Sequence, residues 1–446
     1  MLPRFLVHRL IYPLHERLRG RSTRTIAALY RTHDRGTAAQ LQLWHQDQLM
    51  AHLQHAVQQV PWYRERVALV QSPDDLALFP LLDKQQVRSA GLALAANAFS
   101  GRLIPLATGG SSGEPLKFWS DATRESSQLA AKLRSRAWFG LHAGHRETDL
   151  WGSPIELAAH ARMRRLSAWA LGVRLLPAFS LNDATMERFA AALRGTDLLY
   201  GYASALARYA RFLQQRGEQL ERGAIKLVIS TAEVLLDADR AIIKEAFGAP
   251  VANEFGSRDG GLIAHECPRG ALHVQHDAVH VEILRSDGSA APPGESGEVV
   301  VTNLWARGYP LIRYRTGDRA AWSMNPCACG LPHPTLAALE GRMTDSLVRD
   351  DGTRVHGLAL IYILREQPGV QRFRCTQRAD RSLFVEVVAA PGTDHVALEA
   401  LVRRGVARVL GIGTAVLCGF PAELAPLPGG KHRFILCEVP EEVRAR

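Results

Sequence analysis

The stretch Thr108-Gly109-Gly110-Ser111-Ser112-Gly113-Glu114-Pro115 is made mostly of small residues and lies between two apolar runs. Small side chains leave backbone N–H groups accessible and hydroxyls add donors, which is what a loop needs to wrap phosphate oxygens. It is no Walker loop, because no Gly-Lys-Ser/Thr closes it and Pro115-Leu116-Lys117-Phe118-Trp119 reads as a strand where a P-loop opens a helix. The expectation is a glycine-rich hairpin over an open cleft, with an ordinary Gly/Ser turn as the plain alternative. Thr231-Ala232-Glu233 and Asn253-Glu254-Phe255-Gly256-Ser257-Arg258-Asp259 each follow a run that reads as a buried strand, a place where a site can be built. In Tyr314-Arg315-Thr316-Gly317-Asp318 a carboxylate follows a tight turn, and a carboxylate can accept hydrogen bonds from both hydroxyls of a ribose. The chain has only six lysines, and Lys431 sits in a flexible loop, Pro428-Gly429-Gly430-Lys431-His432-Arg433.

A second set has metal-ligand character. Cys267 and His273, with Cys327-Ala328-Cys329, supply three thiolates and one imidazole, the ligand count of a tetrahedral structural zinc. The Cys-x5-His and Cys-x-Cys spacings are not a common finger pattern. Free buried cysteines are the alternative, and His265, His276 and His333 are nearby substitutes for His273.

The elements that must position these residues alternate. Strands are predicted at 102–107, 115–119, 148–152, 197–201, 225–230 and 250–255, with helices at about 121–139, 183–194, 203–217 and 237–247. Asp121 caps the first of these helices and Gly140 ends it. Such alternation implies an α/β sheet with helices on its faces, whose ligands bind beyond the carboxyl ends of the strands. Residues 23–70 read as helices. After residue 270 the pattern turns to hairpins around 279–284 and 297–302, suggesting a small antiparallel or barrel-like unit. From about residue 344 a smaller α+β pattern follows: strands 346–349, 372–377 and 382–389, helices 357–366 and 395–409. The expected organisation is an N-terminal helical lead-in (1–99), an α/β core for nucleotide and acyl group (100–343), and a C-terminal α+β domain (344–446).

At 446 residues, 47% hydrophobic and 22% charged, the composition is that of a soluble globular protein of several domains. The net charge of +10 is spread along the chain, so it favours anionic substrates over a nucleic-acid stripe. No apolar run reaches the length of a membrane span and no signal-peptide core is evident, which predicts a cytoplasmic protein. Residues 1–21 are basic and partly amphipathic. Peripheral membrane contact is one reading of them, and a packed terminal helix is the plainer one.

Taken in order, these stretches resemble the adenylate-forming superfamily, and within it the phenylacetate–CoA ligase-like branch that includes CapK-type proteins. The resemblance implies that Thr108 to Gly113 hold the β- and γ-phosphates and that Thr231-Ala232-Glu233 lies beside adenine. It implies that Phe255, in the Asn253–Asp259 stretch, stacks on adenine and that Asp259 helps hold magnesium. Asp318 matches the ribose-binding aspartate, Arg342 the arginine of the hinge Arg342-Met343-Thr344-Asp345, and Lys431 the lysine of a mobile C-terminal domain. Gly109, Glu114, Arg258, Asp259 and Thr344 depart from the residues usual in the family. The implied activity is that of an AMP-forming acid–CoA ligase using ATP, Mg2+ and coenzyme A on an aryl or acyl carboxylic acid, with zinc as a structural ion. An amine or hydroxyl acceptor, as in surface polysaccharide biosynthesis, and a non-catalytic nucleotide-binding relative are the alternatives.

Overall fold

The computed structural model describes residues 4–108, 116–150, 171–176, 186–187, 189, 193–217, 220, 223–342, 346–349, 354–356, 358–365, 367, 369–425 and 434–439. The chain forms two compact units, Met1–Thr316 with Ala320–Leu339, and Gly317–Arg319 with Glu340–Arg446.

In the first unit, β1 (Ile104–Ala107) and β2 (Lys117–Ser120) make an antiparallel hairpin in the register Ala107↔Lys117. The large sheet contains β3 (Glu147–Leu150), β4 (Val173–Leu176), β5 (Leu198–Tyr202), β6 (Leu227–Thr231), β7 (Val251–Ser257), β8 (Gly261–Glu266), β9 (Leu272–Val274), β10 (Val279–Leu284), β11 (Ser296–Asn303), β12 (Tyr314–Trp322) and β13 (Thr335–Arg342). Its order is β10-β11-β12-β13-β9-β8-β7-β6-β5-β3-β4. Pairing is parallel from β4 through β3, β5 and β6 to β7, and antiparallel from β7 through β8 to β9. Every residue of β5 and β6 is buried. That is the state of parallel strands covered on both faces, and it explains their unbroken apolar reading.

The late hairpin expected after residue 270 forms: β10 and β11 pair antiparallel and are hydrogen-bonded into the same eleven-stranded sheet as the parallel strands. A hairpin has the same local alternation whichever neighbour its edge pairs with, so the sheet it joins is set by packing. Likewise, the turn expected at Tyr314–Asp318 is part of β12, with Gly317 at φ +77° providing the local kink.

The helix over Ala122–Ala137 forms as its capping residues demand. Asp121 Oδ1 accepts from the Thr123 and Arg124 N–H groups at 2.9 Å each, and its Oδ2 accepts from Gly308 N at 2.7 Å. At the other end Gly140 takes φ +75°, and Leu141 N donates to Arg136 O. This helix packs on Thr23–Asp34, while Ala38–Gln59 lies against the edge of the sheet through histidines.

That edge contact is unusual in its chemistry. His45 Nε2 is 2.8 Å from His280 Nδ1, its Nδ1 is 2.5 Å from His276 O, and its ring stacks on His276 with centroids 3.7 Å apart. Burial lowers the pKa of all three, His280 to about 3. Buried neutral histidines contribute stability that is complete above the ordinary histidine pKa and is lost as pH falls below it. Thermal unfolding should therefore drop between pH 7 and pH 5, and His280→Gln should flatten that slope. An unchanged slope in the variant would assign the acid sensitivity elsewhere.

The second unit contains the hairpin β14 (Ser346–Val348) with β15 (Arg354–His356), and a four-stranded sheet of β16 (Val370–Gln377), β17 (Leu383–Ala389), β18 (Val416–Gly419) and β19 (Ile435–Cys437) in the order β18-β17-β16-β19. The helices Leu358–Arg365 and His395–Leu410 pack together, the first also against β16. This is the small α+β unit the sequence pattern predicts.

Candidate active site and metal centre

The glycine-rich stretch is built on the β1–β2 hairpin. Thr108 closes its stem: Leu116 N donates to Thr108 Oγ1 at 3.0 Å and Thr108 N donates to Leu116 O at 2.9 Å. Gly109, Gly110, Ser111, Ser112 and Gly113 lie outside the described residues.

The turn between β7 and β8 meets this stem. Arg258 Nη1 donates to Ala107 O at 2.8 Å and so ties the acid-bearing turn to the base of the loop. Inside the turn, buried Arg124 donates through Nη2 to the carbonyls of Arg258 and Asp259 at 2.8 and 2.7 Å. Tyr314 Oη donates to Asp259 Oδ2 at 2.6 Å and Gly260 N donates to its Oδ1 at 3.1 Å. The carboxylate is thus held in one orientation before any ligand arrives. The turn is also tight: a Cβ at Gly256 would stand 2.4 Å from Gly261 O, so only glycine fits there.

Beside it, β6 and β7 run parallel in the register Thr231↔Glu254. Thr231 Oγ1 donates to Glu254 O at 3.1 Å. Ala232 adopts φ +64°, a left-handed conformation that costs a residue with a Cβ about 1–2 kcal/mol. Backbone strain at the end of a central strand marks a turn whose shape matters more than its local stability.

Not every expected ligand residue faces outward. Glu254 is buried, and its Oε1 accepts from Tyr200 Oη at 2.7 Å and lies 3.8 Å from Lys132 Nζ. Burial alone would raise its pKa; Lys132 and other neighbours outweigh that and hold it below the usual carboxylate range. Its side chain therefore serves the interior, leaving the backbone of the strand end for a ligand. Phe255 is 7% exposed and belongs to the same core as Leu262, Ile263 and Ala264. Nearby, Tyr200 has its hydroxyl committed to Glu254, and Tyr202 is buried.

Asp318 is a mostly buried carboxylate of β12, four residues beyond Tyr314. Arg342 is the last residue of β13, and residues 343–345 and Lys431 lie outside the described residues. Arg124, Lys132 and Tyr314 were not singled out as site residues from the sequence. The available signal was an arginine in the first turn of a capped helix, where an acid would be electrostatically preferred.

The four metal-ligand candidates do meet. One ligand atom from each of Cys267, His273, Cys327 and Cys329 falls within 4.8 Å of all the others. Cys267 Sγ is 3.8 Å from Cys327 Sγ, too far for a disulfide, and Cys329 Sγ is 3.2 Å from His273 Nε2. His273 turns its Nδ1 to His333 O at 3.1 Å, which directs Nε2 into the cluster. Backbone N–H groups of Arg269, Cys329 and Leu331 point at the three sulfurs at 3.4 to 3.5 Å. Burial pushes the Cys329 thiol up to about 12. The donor set fits Zn2+. Protein purified without chelator should hold about one zinc per chain, and Cys329→Ser should lower both metal content and melting temperature. Absence of zinc in folded protein would leave four free side chains.

No family model matches the chain. Among curated proteins, it is 22% identical to Protein CapK of Staphylococcus aureus over 343 residues, 75% of this chain and 74% of that one. It is 30% identical to a phenylacetate-coenzyme A ligase of Thermus thermophilus over 152 residues, 33% of this chain and 34% of that one. Among solved structures, 2-hydroxyisobutyryl-CoA ligase with 2-HIB-AMP superposes with a TM-score of 0.69 at 19% identity, covering 89% of this chain and 90% of that one. The fold is that of the adenylate-forming ligases. By sequence the chain is similar to phenylacetate–CoA ligases and to Protein CapK.

Proposed function

We propose that the protein is an AMP-forming acid–CoA ligase: a carboxylic acid attacks the α-phosphorus of Mg-ATP, giving acyl-AMP and pyrophosphate, and the CoA thiol then displaces AMP. The observation that carries this reading is the Arg258–Ala107 tie, which brings a fixed carboxylate, Asp259, to the stem of a glycine-rich loop in a chain with ligase relatives. Acid and nucleotide are both anions, so charge gathered on the α-phosphate in the transition state must be met by oriented donors and cations.

In this reading the backbone and hydroxyl groups of Thr108 to Gly113 bind the β- and γ-phosphates. The turn Thr231–Glu233 and the strand end Asn253–Ser257 flank adenine, with Asp318 on the ribose. Magnesium supplies positive charge at the phosphates when bound. Asp259 suits it, being a hard oxygen ligand already oriented by Tyr314. Lys431 carries a second charge to the phosphates, and Arg342 is the arginine of the hinge. The acid is aryl or acyl, and the reaction is placed in the cytoplasm. Among the described residues no helix is long and apolar enough to cross a membrane.

The test is pyrophosphate release from Mg-ATP across aromatic, fatty and hydroxy acids, with CoA, an amine or neither. Acid-dependent release stimulated by CoA is the expected result. Stimulation by amine alone would transfer the proposal to amide synthesis, and no release from folded, ATP-binding protein would reject catalysis.

A further inference from the structure

The N-terminal segment is helical from Arg4 to Leu18, passing through a π turn at Val7–Ile11. One side of it is anchored, with Val7 and Glu16 buried. The other side is exposed and apolar. Leu10, Leu14 and Leu18, spaced four residues apart and so on one face, are 60%, 54% and 78% exposed, and Phe5 is 69% exposed. Large apolar side chains in a continuous stripe on a helix surface mark an interaction site, whereas single ones do not.

The charge beside the stripe is one-sided. Between residues 4 and 33 there are seven arginines and one acid, Glu16, which is buried. Arg9, Arg17 and Arg19 are exposed next to the leucines. A cavity of about 740 Å3 opens alongside, lined by Phe5 and Tyr12 of this helix and by Arg24, Arg31, His142 and His145, with no acidic residue among the described residues of its wall. An apolar floor under cationic walls complements an anionic headgroup with its attached chain.

We propose that this face is a membrane-docking surface: the Arg4–Leu18 helix lies in the interface of an anionic bilayer, its leucines in the acyl boundary and its arginines at the headgroups. A helix of fifteen residues is about 22 Å long, too short to span a bilayer and suited to lie along one. A second copy of the chain is the less favourable occupant, because self-pairing would set Arg9, Arg17 and Arg19 against their own equivalents with no exposed acid in the segment to offset them. The docking surface itself does not depend on the ligase reading; with that reading, it sets the reaction at a membrane surface, where acids carrying long apolar groups are concentrated.

The full-length protein should co-sediment with phosphatidylcholine vesicles containing phosphatidylglycerol, and not with phosphatidylcholine alone. Raising salt should weaken the binding. The triple variant Leu10→Ser, Leu14→Ser, Leu18→Ser should partition at least tenfold less while retaining its unfolding temperature. Arg9→Gln with Arg17→Gln and Arg19→Gln should remove the preference for the anionic lipid. The proposal is overturned if wild-type protein stays in the supernatant with both vesicles, or if the leucine variant binds as wild type does. It is equally overturned if gel filtration shows a dimer that the leucine variant abolishes while vesicles capture neither protein.

Discussion

Arg134→Ala is expected to destabilise the first unit by about 3–5 kcal/mol, the cost of leaving a buried charge without its partner. The Arg134 side chain is fully buried in the core of that unit. Its Nη1 lies 2.5 Å from Asp277 Oδ2 and 3.7 Å from Asp34, its Nη2 donates to Gln275, and the guanidinium sits 4.6 Å from the centre of the Tyr30 ring. Asp277 also meets His33 Nδ1 at 3.0 Å. Burial raises the Asp277 pKa, but Arg134 and the flanking histidines outweigh it and hold the carboxyl well below the usual range. Its contribution is therefore complete at neutral pH and is lost only in strong acid. Removing the arginine leaves that carboxylate desolvated. Melting should fall by on the order of 10 °C. The double variant Arg134→Met, Asp277→Leu should lose much less than the sum of the two single losses, because neither charge is then stranded. Additive losses in thermal unfolding would show that the pair is not coupled.

The same network reaches the candidate metal-ligand cluster. Asp34 Oδ1 is 2.9 Å from His333 Nε2, and His333 O receives the His273 hydrogen bond. Arg134→Ala should consequently lower zinc content as well as stability, a combined effect that a distant core defect would not produce.

Lys431→Ala is expected to slow acyl-AMP formation by about 10²–10³-fold, the scale on which removal of one oriented transition-state donor is felt. Transfer to CoA from supplied acyl-AMP should change only a few-fold, since the phosphate charge has already left as pyrophosphate. The two half-reactions measured separately decide the matter. Equal loss in both, or none in the first, would remove Lys431 from the adenylation step. Lys431→Arg is an informative companion, because a planar guanidinium keeps the charge but not the compact point contact of an ammonium.

Much of the architecture was legible because its signals are local. Asp121 and Gly140 bound a helix through their own capping chemistry, and the apolar runs of β5 and β6 declare strands buried on both faces. The order of the glycine-rich loop, the two strand-end turns, Asp318 and Lys431 was readable for the same reason: each requirement is met by residues adjacent in the chain. Less legible was which side chain would serve ligand and which would serve the interior. Glu254 sits in a motif where it could face a nucleotide, yet Tyr200 and Lys132, distant in sequence, draw its carboxylate inward.

The sequence by itself determined the alternating α/β plan, the separate α+β pattern after residue 344 and the inventory of reactive groups, because period, capping and composition act over a few residues. Tertiary structure alone decided that the late hairpins extend one large sheet and that Arg258 and Tyr314 fix the Asp259 turn. It also decided that Cys267 and Cys327, sixty residues apart, come together. The last case shows the reason. The pairing Thr335↔His273 between β13 and β9 sets the two cysteine-bearing segments side by side, and a register between strands so distant in the chain is chosen by the packing of the whole sheet rather than by either segment.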